Sequence, residues 1–305
     1  MMKKCIFRIL VLCAAAVLIC GMTACTPQDS AESSSAYSSS KTQSSSQETS
    51  SVESKIEYKE EEWRLHPQDY KLIAFTFDDG PEGDTVDGNY PSVKLANLFE
   101  KYNGNATFFL IGYKLEKYGA EIPKYLLSKG NELANHSYNH ANSGQMKAMT
   151  PEALRKEVLG CNDLIEQMCG VKPTFFRGGN YARCPEMWEL LKEEKIPAIL
   201  SYKGFSDFAD GTDTPESISN YLIKTDIPDG AIMGMHSSNM NCATPDGLAI
   251  ALPRLYEKGY RFCTLSELFE FRGVTYDDLP EYCYLTRISL DPMGEVDING
   301  RILKE

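Results

Sequence analysis

The sequence predicts an α/β fold built on a parallel sheet, open or closed into a barrel. Short apolar runs of strand character alternate with amphipathic helical stretches between residues 57 and 305. That length suits one domain of the larger α/β kind. The sequence contains no internal repeat that would indicate a repeat architecture. Reactive side chains follow several of the runs, and ligands of such folds bind at the carboxyl ends of the strands.

Seven segments are predicted to be strands: 72–77, 106–111, 132–135, 174–177, 197–200, 231–236 and 261–265. Two helices between them have clear signals. Apolar residues recur every three positions over 93–102, with Gly104 as a stop. Thr150-Pro151-Glu152 begins the second helix with a cap, a proline and an early acid, and that helix ends before Gly170.

The last stretch, residues 273–305, is predicted to be β-rich. Segments 282–285 and 296–303 have strand character, and Asn299-Gly300 suits a hairpin turn. The sequence leaves open whether this extension closes a barrel or forms an accessory flap, and it predicts no function for it.

The N-terminus has the pattern of an export signal. Residues 1–24 combine a basic start with an apolar run, and Cys25 follows Met22-Thr23-Ala24, which resembles a bacterial lipobox. We expect a lipid on Cys25 and attachment outside the cytoplasm to the cell membrane. An ordinary signal peptide, with a secreted product, or an uncleaved anchor is the alternative. Residues 25–56 are Ser-rich and too polar to pack, which predicts a flexible tether before a folded domain at 57–272.

The charge of the chain excludes some classes of partner. The formal net charge is −12. Without the signal, which holds three basic residues and no acids, 28 basic and 43 acidic residues remain, a net −15. This balance argues against nucleic acid and anionic lipid headgroups as ligands. We expect a monomer.

The residues of a candidate metal site follow two of the predicted strands. Asp78 and Asp79 end the first strand, where uncompensated charge is costly. His136 and His140 are spaced i, i+4, so they can share one face of a helical turn. Two imidazoles and the Asp79 carboxylate would form a facial site for Zn²⁺ or a similar divalent ion. This pattern predicts a metal hydrolase.

An acid/base pair strengthens that interpretation. Asp78 adjoins the predicted metal ligand and can act as the base, and His236, at the end of another strand, can act as the acid. A non-haem iron oxygenase uses the same ligand set but does not need such a pair. Unrelated surface histidines are the other alternative. His66 is assigned no role.

Four motifs in the same order resemble the polysaccharide deacetylase family (carbohydrate esterase family 4, NodB homology domain): Thr76–Pro81, His136-xxx-His140, Phe175-Phe176-Arg177 and Ile232–His236. The resemblance covers about residues 70–272 and implies a distorted (β/α) barrel with a divalent metal at its mouth. Zinc is expected first, with Co²⁺, Ni²⁺ or Mn²⁺ as alternatives.

The resemblance also implies roles for individual residues. It makes Asp78 the base and His236 the acid, and it assigns the metal to Asp79, His136 and His140. These are the roles that the residue types and their spacing predict without it.

The family's Arg-Pro-Pro-Tyr-Gly motif is changed to Arg177-Gly178-Gly179-Asn180-Tyr181. The resemblance implies that Arg177 orients the catalytic Asp through charge-assisted hydrogen bonds. The two glycines predict a more mobile loop. The oxyanion-stabilising N–H would belong to Asn180, and Tyr181 is assigned with it to substrate binding.

The family's Asp-x-x-Asp-Trp motif is changed to Gly204-Phe205-Ser206-Asp207-Phe208. Asp207 is the predicted partner of His236, and a gapped alignment would match Asp207 and Asp210 to the two family Asp. Phe208, in place of the family's stacking Trp, is assigned to substrate binding.

Together these features predict a lipid-anchored, metal-dependent deacetylase of N-acetylated glycans. The predicted membrane attachment places peptidoglycan N-acetylglucosamine or N-acetylmuramic acid first among substrates. Chitin oligomers, exopolysaccharide and acetylated xylan are alternatives. A glycan-binding lipoprotein that keeps the barrel without turnover is the competing function.

Overall fold

The structure is a computed structural model that describes residues 62–202, 207, 213–237, 243–279 and 284–287. The strands in this part are β1 (Lys71–Gly80), β2 (Thr107–Leu110), β3 (Glu132–Asn135), β4 (Ala198–Ile199), β5 (Ala231–His236), β6 (Tyr260–Cys263) and β7 (Tyr284–Leu285). The helices are α1 (Glu62–Leu65), α2 (Pro91–Glu100), α3 (Gly112–Tyr118), α4 (Glu121–Ser128), α5 (Ser143–Lys147), α6 (Pro151–Cys169), α7 (Pro185–Glu193), α8 (Pro215–Lys224), α9 (Thr244–Glu257) and α10 (Leu265–Arg272). None of the helices described is both long and apolar enough to cross a membrane.

Strand β1 is the centre of a parallel sheet. It pairs with β2 and β6 along different parts of its length and with β5 over residues 73–78, and β3 extends the sheet beyond β2. The register places Asp78 directly opposite His236. The predicted acid and base therefore lie at the same level of two neighbouring strands.

The sheet closes into a distorted barrel. Parallel bridges join Phe176 to Asn135 of β3 and to Ala198 of β4, and β4 pairs in parallel with β7. From there the Ile232 N–H of β5 donates to the Thr286 carbonyl at 3.0 Å. The predicted fold class is confirmed. Of the two roles left open for the C-terminal extension, residues 284–287 have the role of closing the barrel, and residues 296–303 lie outside the described part.

The predicted strand at 174–177 is reduced to these bridges. Its backbone bonds to both neighbours, but only Phe176 meets them in bridge geometry, and a short 3-10 turn follows at Gly179–Tyr181. Strand β1 continues to Gly80, three residues beyond its predicted end, so both carboxylates of the first motif lie within the strand.

The core has two layers that follow the alternation of β1. Ile73 and Phe77 pack outward against helices that include α2 and α9. Leu72 and Ala74 pack inward with residues of the surrounding strands, which fill the barrel. Since side chains alternate along a strand, the side chain of Asp78 points inward like those of Leu72 and Ala74. It lies at the mouth of the barrel, next to the apolar residues that fill the interior.

Candidate active site

Two adjacent carboxylates at the end of β1 face the same imidazole. Consecutive residues of a regular strand point to opposite faces. Asp79 lies within β1 but departs from extended geometry with a φ of 72°, and the β1–β2 register shifts between Phe77 and Gly80. As a result, Asp79 Oδ1 lies 3.4 Å and Asp78 Oδ2 lies 3.8 Å from His136 Nε2. The left-handed conformation brings both carboxylates into one site.

The two histidines lie on an irregular loop, so the predicted helical turn is wrong. Ser137 and His140 have φ angles of 65° and 61°. The loop is held by side chains, since the Asn135 side-chain oxygen accepts from the Ser137 N–H at 2.7 Å and Ser137 Oγ accepts from the His140 N–H at 3.0 Å. This folding places the two imidazole rings 4.9 Å apart.

The ring nitrogens of the two histidines have distinct partners. His136 Nδ1 lies 2.8 Å from the Arg177 carbonyl oxygen. A carbonyl only accepts, so this nitrogen carries the proton and Nε2 presents a lone pair. His140 directs Nε2 towards Asp79 Oδ1 at 3.4 Å, while its Nδ1 lies 3.4 Å from the Asn180 amide. Both free nitrogens therefore converge on one carboxylate.

This cluster fits a divalent cation. One ligand atom each of Asp79, His136 and His140 lies within 4.8 Å of the others. Burial alone would raise the pKa of Asp79, but the two imidazoles and the Lys114 ammonium hold it well below its ordinary value. Burial and the neighbouring His136 lower the pKa of His140. A carboxylate and neutral imidazoles are the protonation states that bind metal.

Arg177 fixes the second carboxylate. Its guanidinium is fully buried and donates to Asp78 Oδ1 at 2.6 Å, to Thr76 Oγ1 at 2.9 Å and to the Ile199 carbonyl at 3.1 Å. It also lies 4.2 Å above the Phe109 ring. With one oxygen held by Arg177, Asp78 keeps its other oxygen on the side of the metal cluster.

The buried Asp207 pairs with the partly exposed His236, as the sequence predicts. Asp207 Oδ1 lies 2.7 Å from His236 Nδ1, and Oδ2 accepts the His236 N–H at 2.8 Å. Burial by itself disfavours the imidazolium, but the Asp207 hydrogen bond and the nearby carboxylates outweigh it and raise the pKa of His236 to about 9. Asp210, which the gapped alignment would match to the second family Asp, lies outside the described residues.

The loop with the changed family motif approaches His140 closely. A Cβ on Gly179 would lie 2.6 Å from the His140 backbone carbon, so this position excludes larger residues. Asn180 and Tyr181 are left-handed, with φ of 50° and 51°. Among the described residues, none accepts the backbone N–H of Asn180. Phe208, Cys25 and the segments 1–24 and 25–56 lie outside the described part.

Two polar residues that support the site were missed from the sequence. Thr244, the first residue of α9, donates from Oγ1 to Asp207 Oδ2 at 2.5 Å. Glu157, 1% exposed, accepts backbone N–H groups on both sides of His140. Glu157 could have been found from the sequence, because it lies on the apolar face of α6 between Leu154 and Val158. A carboxylate on that face is expected to be buried and to accept hydrogen bonds.

Comparison with known proteins identifies the family. A profile described as Polysaccharide deacetylase matches residues 66–199. A peptidoglycan-N-acetylglucosamine deacetylase of Bacillus cereus is 31% identical over 213 residues, which cover 69% of this chain and 93% of that protein. The chain belongs to the polysaccharide deacetylase family. This membership supports a hydrolase that acts on acetylated glycans.

Two further relatives broaden the comparison. A bifunctional xylanase/deacetylase of Pseudobutyrivibrio xylanivorans is 32% identical over 207 residues, 68% of this chain. The match spans only 32% of that longer protein. A family 4 acetyl xylan esterase from Clostridium thermocellum, solved with a cobalt ion, superposes with a TM-score of 0.58 at 29% identity and covers 68% of this chain and 94% of that one. An acetyl xylan esterase that was solved with a cobalt ion therefore shares this fold.

Proposed function

We propose that this polysaccharide deacetylase is a metal-dependent hydrolase that removes acetyl groups from N-acetylated glycans. One observation carries the proposal. The cluster of Asp79, His136 and His140 lies beside Asp78 and His236, which the strand register sets opposite each other. A metal site flanked by a base and an acid is the apparatus that hydrolysis of an acetyl amide or ester requires.

The proposed ion is Zn²⁺, with Co²⁺, Ni²⁺ or Mn²⁺ as alternatives. Asp79, His136 and His140 would hold it, a two-nitrogen, one-oxygen set that leaves positions for water and substrate. When bound, such an ion lowers the pKa of a water and polarises the acetyl carbonyl. The cobalt ion in the related acetyl xylan esterase supports a divalent ion at this site without selecting zinc among the four.

The side chains around the cluster have complementary proton roles. Asp78 is the base, because Arg177 holds one of its oxygens and leaves the other to accept a proton from the attacking water. His236 is the acid, because a pKa of about 9 keeps it protonated at neutral pH until it donates to the departing sugar amine. The Asn180 N–H would donate to the developing oxyanion.

Peptidoglycan is the proposed polymer. The Bacillus cereus relative is named for peptidoglycan N-acetylglucosamine, and the predicted lipid on Cys25 would hold the domain within reach of the cell wall. O-acetylated xylan is the competing substrate, because two relatives are named for activity on xylan. Replacing Cys25→Ser should release the protein from the membrane fraction, and continued membrane attachment would contradict the proposed lipid anchor.

The activity test uses the chain without its signal and with Cys25→Ser. Bound metal is quantified, and acetate release is followed from peptidoglycan, N-acetylglucosamine oligomers and acetylated xylan. We expect stoichiometric metal and acetate from peptidoglycan. Asp78→Asn should abolish turnover and keep the metal, whereas His66→Gln, a change at a histidine outside the site, should alter neither. Metal binding without acetate from any substrate would favour the glycan-binding alternative.

A further inference from the structure

The C-terminal segment places one buried tyrosine beside the active-site loop. Tyr284 and Leu285 pair with Ala198 and Ile199 in the barrel wall, and the Leu200 N–H donates to the Leu285 carbonyl at 2.7 Å. Tyr284 is 1% exposed. The backbone that carries its ring is therefore held by the strand pairing itself.

The hydroxyl of Tyr284 reaches both ends of the loop 178–182. It donates to the Ala182 carbonyl at 2.6 Å, and a Cβ on Gly178 would lie 3.1 Å from it. The ring packs edge-on against Trp188 with centroids 5.2 Å apart. Because ring and hydroxyl both have fixed partners, Tyr284 can act as a rigid support under the loop.

The loop needs such a support. Asn180 and Tyr181 both have the left-handed backbone that costs a side-chain-bearing residue free energy and persists only when its surroundings hold it. Inside the loop, the Tyr181 N–H donates to the Gly178 carbonyl and the Ala182 N–H to the Gly179 carbonyl, each at 2.9 Å. Two glycines add no stiffness of their own, unlike two prolines.

We propose that Tyr284 is a positioning residue that holds the loop 178–182 in this conformation and thereby aims the Asn180 N–H at the site. The closing segment of the barrel supplies the constraint that the Gly178-Gly179 pair lacks. The loop-holding role stands on the contacts above, and the catalytic consequence rests on the proposed deacetylase function.

The test compares Tyr284→Phe with Tyr260→Phe in the full chain. Tyr260 is a matched control, since its buried hydroxyl also donates to a backbone carbonyl, that of Ile227, at 2.6 Å. Amide hydrogen exchange is measured for the loop and for β5, together with bound metal, kcat and KM. For Tyr284→Phe we expect about tenfold faster exchange of the Tyr181 and Ala182 amides, roughly what one buried hydrogen bond contributes.

The same variant should lower kcat by a similar factor with metal content and KM unchanged, and Tyr260→Phe should leave loop exchange and kcat as in the wild type. Equal loop exchange in the two variants would overturn the proposal. So would acceleration that extends equally to β5, because the hydroxyl would then stabilise the barrel as a whole. If the wild type releases no acetate, the proposed function fails, while the exchange comparison still decides the role of Tyr284.

Discussion

Glu157 is predicted to control the shape of the metal-binding loop. Its buried carboxylate accepts the Asn139 N–H at 3.0 Å, the Asn139 side-chain amide at 3.0 Å and the Ala141 N–H at 2.9 Å. The N–H between them, that of His140, is taken by Ser137 Oγ. Three consecutive backbone donors thus bind side-chain acceptors, and two of them depend on Glu157.

The substitution Glu157→Gln keeps the size and shape of the side chain but replaces one of its two acceptor oxygens with an NH₂ group. The new NH₂ group must face at least one of the donors from Asn139 or Ala141, which leaves a buried N–H unsatisfied at about 1–3 kcal/mol. The remaining bonds change from a charged to a neutral acceptor and weaken. We expect a total loss of roughly 2–3 kcal/mol in the free energy of unfolding, or about 5–10 °C in Tm for a domain of this size. Displacement of His140 should weaken metal binding about 10–100-fold.

The assay is thermal unfolding of the metal-free protein, followed by Zn²⁺ affinity in competition with a chromophoric chelator. Glu166→Gln is the control, because Glu166 is an exposed carboxylate on the same helix and its replacement should cost less than about 0.5 kcal/mol. A Glu157→Gln protein that matches this control in Tm and Zn²⁺ affinity would refute the reasoning. Reduced stability with unchanged Zn²⁺ affinity would show that the loop does not transmit the change to the histidine.

Three further predictions follow from the site. Arg177→Met should destabilise the protein by about 3–5 kcal/mol in urea unfolding, since it leaves a buried carboxylate uncompensated; a loss under about 1 kcal/mol would contradict this. Gly179→Ala should lower Zn²⁺ affinity, because the new methyl meets the backbone of His140; unchanged affinity would show that the loop yields freely. The hydrogen bond with Asp207 and the nearby carboxylates raise the pKa of His236 in the folded protein from its ordinary 6.5 to about 9. The stabilisation that this pair gives the folded state is therefore complete below about pH 6.5 and is lost as the pH rises through about 9. The free energy of unfolding, measured in urea near pH 6 and near pH 9.5, should fall between the two pH values in the wild type and fall less in Asp207→Asn. An equal fall in both proteins would show that the His236–Asp207 pair does not cause it.

Local signals were sufficient for much of the fold. The predicted strands at 132–135 and 231–236 have the bounds of β3 and β5. Helix α6 begins after Thr150, whose Oγ1 accepts the Ala153 N–H, and ends at Cys169, before the left-handed Gly170 with a φ of 79°. These boundaries were predictable because a cap or a glycine terminus acts within a few residues of itself.

The metal ligands were predictable by residue type, but their loop was not. The i, i+4 spacing of His136 and His140 indicated a helical turn, whereas the conformation depends on Glu157, which is distant in sequence, and on the left-handed Ser137. Asp79 likewise joins the site only through its left-handed backbone. The predicted loop mobility at Gly178-Gly179 remains a prediction, which the hydrogen-exchange experiment addresses.

By itself, the sequence determined the α/β class, most of the strands and the residue types of the candidate site. Only the tertiary structure decided how the barrel closes and what supports the site. Residues 284–287 complete the wall between β4 and β5, Tyr284 bonds to Ala182, and Thr244 bonds to Asp207. Each of these contacts joins segments tens of residues or more apart. A hydrogen bond between distant segments leaves no periodicity, cap or turn in the local sequence, so it becomes visible only when the chain has folded.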